Sequence, residues 1–134
     1  MKDKQKALNL YNNALAFIKT LTAIESNGEI TVILDHEYTI LHMLASSILA
    51  ESGEKIDDKD HHKSLICWIT TIDVNITPNQ AHIFDELRKI RNDINYNGQK
   101  NAETLRDFYQ RNKKTVRELR EVLLNNLKEK KIII

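Results

Sequence analysis

The chain has 134 residues, 41% of them hydrophobic and 29% charged, with a net charge of +1. That is enough for one domain, residues 1–134, to bury most of its unfolded surface in a single core, and too apolar for a disordered chain. Three glycines and one proline leave few breaks for a β-sandwich, and a single cysteine excludes an internal disulfide or a cysteine-pair metal site.

Apolar residues recurring at three- and four-residue steps predict the first helix over about Asp3–Ile24, with Leu8, Tyr11, Leu15, Ile18 and Leu21 or Thr22 on its buried face. Ser26-Asn27-Gly28 stops it, with Asn and Gly able to turn left-handed. The second helix begins with β-branched residues, Ile30 to Ile33, but the 3.6-residue pattern continues through Leu34, Tyr38, Leu41, Ala45, Ile48 and Leu49 up to Gly53. Its wide apolar stripe is that of a central bundle helix. Asp60 is placed to cap a short third helix through Ser64, Ile66, Trp68 and Ile69. Thr77 as N-cap and Pro78 as first helical residue open the fourth helix, whose seam is Ile83, Leu87, Ile90 and Ile94. It stops near Asn97-Gly98. Asn101 caps a fifth helix running to Lys128, with Leu105, Phe108, Val116, Leu119, Leu123 and Leu127 inward and Asn112 interrupting them. The fold class is therefore all-α, an antiparallel up-and-down bundle of about five helices joined by short connections.

Charge is uneven along the chain. Glu25 to Asp60 holds nine acids against two lysines, a net of −7, and Arg111 to Ile134 holds eight bases against three acids, a net of +5. Such poles are solvated faces that attract one another, and they can steer a second copy or a phosphate backbone. Cys67, within the apolar run Leu65-Ile66-Cys67-Trp68-Ile69, reads as a small core residue. A polar, periodic start and the absence of any apolar run near the roughly 20 residues that span a bilayer point to a cytoplasmic, reduced protein with no membrane contact.

The run Arg88-Lys89-Ile90-Arg91-Asn92-Asp93-Ile94-Asn95-Tyr96-Asn97-Gly98 carries the functional argument. Arg91 lies at the edge of the buried seam, four residues after Leu87 and three before Ile94. If the helix unwinds at Asn95, Tyr96 can swing towards it. A guanidinium at such a helix end can grip a phosphate by two parallel hydrogen bonds, with Arg88, Asn92 and Asn95 around it. It can equally pair with Asp35, Glu37 or Asp93 and hold two helices in register.

Tyr38 on a long apolar helix, Gly53 at its end, His62 with Leu65 and Ile66 on the next, and the closing run Arg91-x-x-x-Asn95-Tyr96 resemble the HEPN family of small helical proteins. The likeness is closest to the branch whose motif reads Arg, three residues, Asp and Tyr. Catalytic members of that family are metal-independent ribonucleases that use an arginine and, four to six residues later, a histidine, often at a dimer interface. Many are toxins paired with a nucleotidyltransferase-like antitoxin. The resemblance implies that Arg91 is the motif arginine and that this chain is a homodimer with RNA or such an antitoxin as partner. The histidine position is Tyr96, and the branch aspartate is Asn95. A phenol titrating near pH 10 is poorly placed for acid–base work at neutral pH, so a degenerate, non-catalytic RNA- or nucleotide-associated module is expected. Its alternatives are a ribonuclease using Arg91, with Tyr96 or a histidine from elsewhere, and a structural adaptor.

His36 and His42, six residues apart and about 120° round one helix, are poorly set for joint metal ligation. His61-His62 beside Asp57, Asp58 and Asp60 matches no zinc motif, and His62 reads as a residue that packs the third helix. No cofactor or metal site is expected, since the chain has no phosphate-binding glycine loop, serine elbow or Glu-x-x-His pair. The last helix, with Arg111, Lys113, Lys114, Arg117 and Arg120, is the remaining nucleic-acid candidate, although Glu118 and Glu121 can pair with those bases at helical spacing.

Overall fold

The first helix, α1 (Lys4–Ile24), starts where the Asp3 carboxylate accepts a hydrogen bond from the Lys6 amide at 2.9 Å. This is the computed structural model of the chain, which describes residues 2–57, 59–72, 75–94 and 101–129. After Ile24 the chain turns tightly. A Cβ on Gly28 would stand 2.6 Å from the Ile24 carbonyl oxygen, so the glycine is needed for close approach rather than for a left-handed backbone.

Helix α2 (Ile30–Ser52) buries Ile30, Ile33, Leu34, Tyr38, Ile40, Leu41, Leu44, Ala45 and Ile48, and packs against all four other helices. Its β-branched opening is helical, and Gly53 closes it with φ 76°, the left-handed cap that glycine adopts without strain. Helix α1 runs antiparallel beside it. The Asp3 amide donates to the Ala50 carbonyl at 2.9 Å, and the Ser47 hydroxyl donates to the Ala7 carbonyl at 2.6 Å. So close an approach favours small residues at the contact line, and the buried face of α1 is Ala7, Tyr11, Ala14 and Leu21. Leu15, expected in the core, is 39% exposed.

The connection after Gly53 carries the chain back beside α2. Helix α3 (His61–Thr71) therefore begins against Tyr38 and His42, about 15 Å before the end of α2 at 1.5 Å per residue. Two expectations fail here. Asp60 holds the N-cap position in a left-handed conformation, φ 56°, and its side chain makes no capping bond. Cys67 is exposed, because Leu65, Ile66 and Ile69 form the inward face and a residue one step from Ile66 points away.

Helix α4 (Pro78–Asn92) opens on a reciprocal box. The Gln80 amide donates to Thr77 Oγ1, and the Thr77 amide donates to Gln80 Oε1, each at 3.1 Å. Ile83, Phe84, Leu87 and Ile90 are buried. The expected stop at Asn97-Gly98, and Asn95 and Tyr96 with it, lie outside the described residues.

Helix α5 (Ala102–Glu129) follows Asn101, whose side chain accepts from the Thr104 amide at 2.9 Å. Leu105, Val116, Leu119, Leu123 and Leu127 are inward as expected, with Tyr109 the buried aromatic and Phe108 half-buried. Asn112 satisfies its amide on the Phe108 carbonyl at 2.9 Å. The result is an all-α bundle of five helices, with no strand among the described residues. No described helix is long and apolar enough to cross a membrane.

Candidate functional site

Arg91, near the end of α4, reaches across to α2. Its Nε donates to Asp35 Oδ1 at 2.9 Å, and its guanidinium carbon lies 5.6 Å from the centre of the Tyr38 ring. Among the described residues Arg91 is thus paired with Asp35, one of the three carboxylates open to it from the sequence. The pair is not shut away, since the side chains are 30% and 40% exposed. One turn earlier, Arg88 donates to Asp85 Oδ1 at 2.8 Å, and Lys89 lies 3.4 Å from the same carboxylate. Burial alone would raise the Asp85 carboxyl, but these cations outweigh it and hold it below its ordinary value. Asn92, the next residue, is half-buried.

Tyr38 is the hub. It is fully buried, its hydroxyl lies 2.7 Å from His62 Nδ1, and its ring contacts those of Phe84, His42 and His62 at 5.8 Å each. His42 follows Tyr38 by four residues on the same face of α2, and its ring centre is 4.4 Å from that of His62. Burial pushes the Tyr38 hydroxyl well above its ordinary value, so it stays protonated. Burial, then the neighbouring His62, His61 and Arg91 charges, pushes His42 down to about 4. Burial, then Arg91 and His61, likewise lowers His62.

At neutral pH this is a neutral imidazole bonded to a neutral phenol, with a fixed guanidinium on the same phenol ring. If the phenol donates to Nδ1, the His62 proton sits on Nε2; in the other tautomer Nδ1 carries the proton and donates to the phenol oxygen.

The basic residues of α5 face elsewhere. Asp35 and Glu37 are two residues apart on α2, hence about 160° round its axis. On the Glu37 side the Tyr109 hydroxyl donates to Glu37 Oε2 at 2.7 Å, and Arg120 bonds to the other oxygen. Glu25 Oε1 lies 3.1 Å from the Tyr109 hydroxyl, whose single proton is on the shorter bond to Glu37, and Glu25 pairs with Arg117 and has Lys113 Nζ at 3.7 Å. Lys114 is exposed, at 4.0 Å from Glu118. Lys113, Lys114 and Arg117 are thus not brought together with Arg88 and Arg91.

The sequence reading missed the Tyr38–His42–His62 cluster. The four-residue spacing of Tyr38 and His42 was visible, but their meeting with His62 depends on the returning connection before α3. His36 stays apart from His42, bonding the Val32 carbonyl at 3.1 Å and packing on Phe17. Among the described residues no three His, Cys, Asp or Glu side chains are arranged to hold a metal ion. Compared with protein-family models, curated proteins and solved structures, the chain matches none.

Proposed function

We propose that the chain is a small HEPN-like module that binds the phosphate of RNA or of a nucleotide at Arg91, and that it is not an efficient enzyme. What supports this reading is the setting of Arg91, whose side chain is half-exposed while its Nε is fixed on Asp35 and its face rests on Tyr38. A phosphate would take the terminal nitrogens while Nε stays on Asp35, so little side-chain freedom is lost on binding. Arg88 adds a second positive charge one turn away. The self-association and the nucleotidyltransferase-like partner that the resemblance implies are parts of the same proposal, open to light scattering and co-purification.

A second reading has one observation in its favour. The 2.7 Å contact between Tyr38 and His62 sets a histidine against the same ring as Arg91, which could stand in for the histidine absent from position 96. In that case the chain would be a metal-independent ribonuclease with His62 as the proton-transfer group.

One experiment addresses both. Wild type, Arg91→Ala and His62→Phe are mixed with a cellular RNA pool in EDTA, and binding and cleavage are followed together. The main reading expects binding without cleavage, weakened at least about tenfold by Arg91→Ala, the loss of one charge-assisted hydrogen bond. Cleavage abolished by both substitutions would establish the ribonuclease instead. Binding unchanged by Arg91→Ala would overturn the assignment of the site.

A further inference from the structure

Three histidine rings meet where α3 rests on α2. The ring centres of His42 and His62 are 4.4 Å apart, those of His42 and His61 6.0 Å, and those of His61 and His62 6.2 Å. Nε2 of His42 is buried with no hydrogen-bond partner among the described residues. Each packed element contributes charge to this contact. Helix α2 brings Asp35, Tyr38 and His42, α3 brings His61 and His62 with Asp60 before them, and α4 brings Asp85, Arg88 and Arg91. On its outer side His61 shares a groove with Asp3 and Lys6 of α1 and with Glu54 and Lys55 after α2. Asp35 and Asp85 are already paired with Arg91 and Arg88. A proton on His42 or His62 would therefore put a cation against two other imidazoles and close to both arginines, with Asp60 the remaining carboxylate that acts on His62.

Helix α3 is also lightly anchored. It has 11 residues, buries only Leu65, Ile66 and Ile69 among its described side chains, and is entered through a left-handed residue with no capping bond. Leaving would cost it far less apolar burial than it would cost α2 or α5.

We propose that the α2–α3 contact is a proton-sensitive latch, in which protonation of His42 and His62 releases α3 while α1, α2, α4 and α5 stay packed, uncovering Tyr38. The latch does not depend on what Arg91 binds.

The direction follows from linkage. Docked α3 holds His42 and His62 neutral, so the released form takes up more protons. Docking is fully present above the ordinary histidine value of 6.5 and is lost as pH falls from there towards about 4. Between pH 7 and pH 5, His42 alone shifts the released-to-docked ratio by about twentyfold.

Native-state hydrogen exchange on the whole chain reads that ratio directly, once each amide is corrected for its intrinsic rate at the pH used. Between pH 7 and pH 5 the protection of α3 amides, Leu65 to Ile69, is expected to fall at least about twentyfold more than that of α5 amides. In His42→Phe, which keeps a ring and loses the His42 titration, the extra fall should shrink by about that twentyfold and leave only the part that His62 contributes. Equal falls in α3 and α5, which need no variant to observe, would overturn the latch. So would a His42→Phe protein that repeats the wild-type difference.

Discussion

The two flanks of α2 treat charge in opposite ways. On one, Glu37 is fully buried, and its two oxygens are taken by Tyr109 and Arg120 in a network that continues through Glu25 to Lys113 and Arg117. Its inner part, Glu37 with Tyr109 and Arg120, is buried and paired, with only Arg120 Nε unpartnered among the described residues, while its outer part opens to solvent at Lys113 and Arg117. On the other flank Asp35 is 40% exposed and meets Arg91, and beyond Tyr38 lie three histidines with an unpartnered nitrogen among them. Charge that is buried and paired, as at Glu37 and Arg120, behaves as architecture, since removing one member strands the other in a poor solvent. Charge left half-exposed and incompletely paired can respond to a ligand or to a proton. The difference between Glu37 and Asp35 is therefore one of role, although they sit two residues apart.

The comparison predicts its largest effect at Glu37. Glu37→Ala leaves Arg120, whose side chain is only 13% exposed, as a buried unpaired cation. The expected loss is about 3–5 kcal/mol by urea denaturation. A loss under about 1 kcal/mol would mean that Arg120 finds water instead, and the network would not be architectural. A smaller effect is expected across the helix. Tyr38→Phe keeps the ring beneath Arg91 and removes the hydroxyl bonded to the part-buried His62. That bond contributes about 1 kcal/mol. A loss as large as that at Glu37 would place the histidine flank in the architectural class as well.

These contrasts were only partly legible in the sequence. Periodicity located the five helices, because each buries one face against α2 or its neighbours, and Thr77-Pro78 and Gly53 marked boundaries through local chemistry that needs no tertiary partner. Tertiary packing decided the rest. The close approach of α1 to α2 turned the buried face towards Ala7 and Ala14 and left Leu15 outside, and the inward face of α3 left Cys67 exposed. Arg91 could be recognised as a residue at the edge of its seam. Nothing local to Glu37 announced Tyr109, 72 residues later, as its partner. His62 lies 24 residues from Tyr38, and only the return of the chain after Gly53 joins them.

The smallest expected effect tests the division most sharply. Arg91→Ala removes an ion pair whose members are both part-exposed, together with a guanidinium lying over one aromatic ring. Exposed pairs contribute about 0–1 kcal/mol and exposed cation–π contacts about 0.5–1 kcal/mol. The variant should therefore unfold within about 1.5 kcal/mol of wild type, and much of that difference should disappear in high salt, which screens the pair. A near-native stability joined to a tenfold loss of RNA binding would mark Arg91 as a residue kept for a ligand. A cost of 3 kcal/mol or more, insensitive to salt, would show that Arg91 holds α4 to α2 as Arg120 holds α5. The two flanks would then do the same work, and the phosphate reading would lose the half-exposed arginine that supports it.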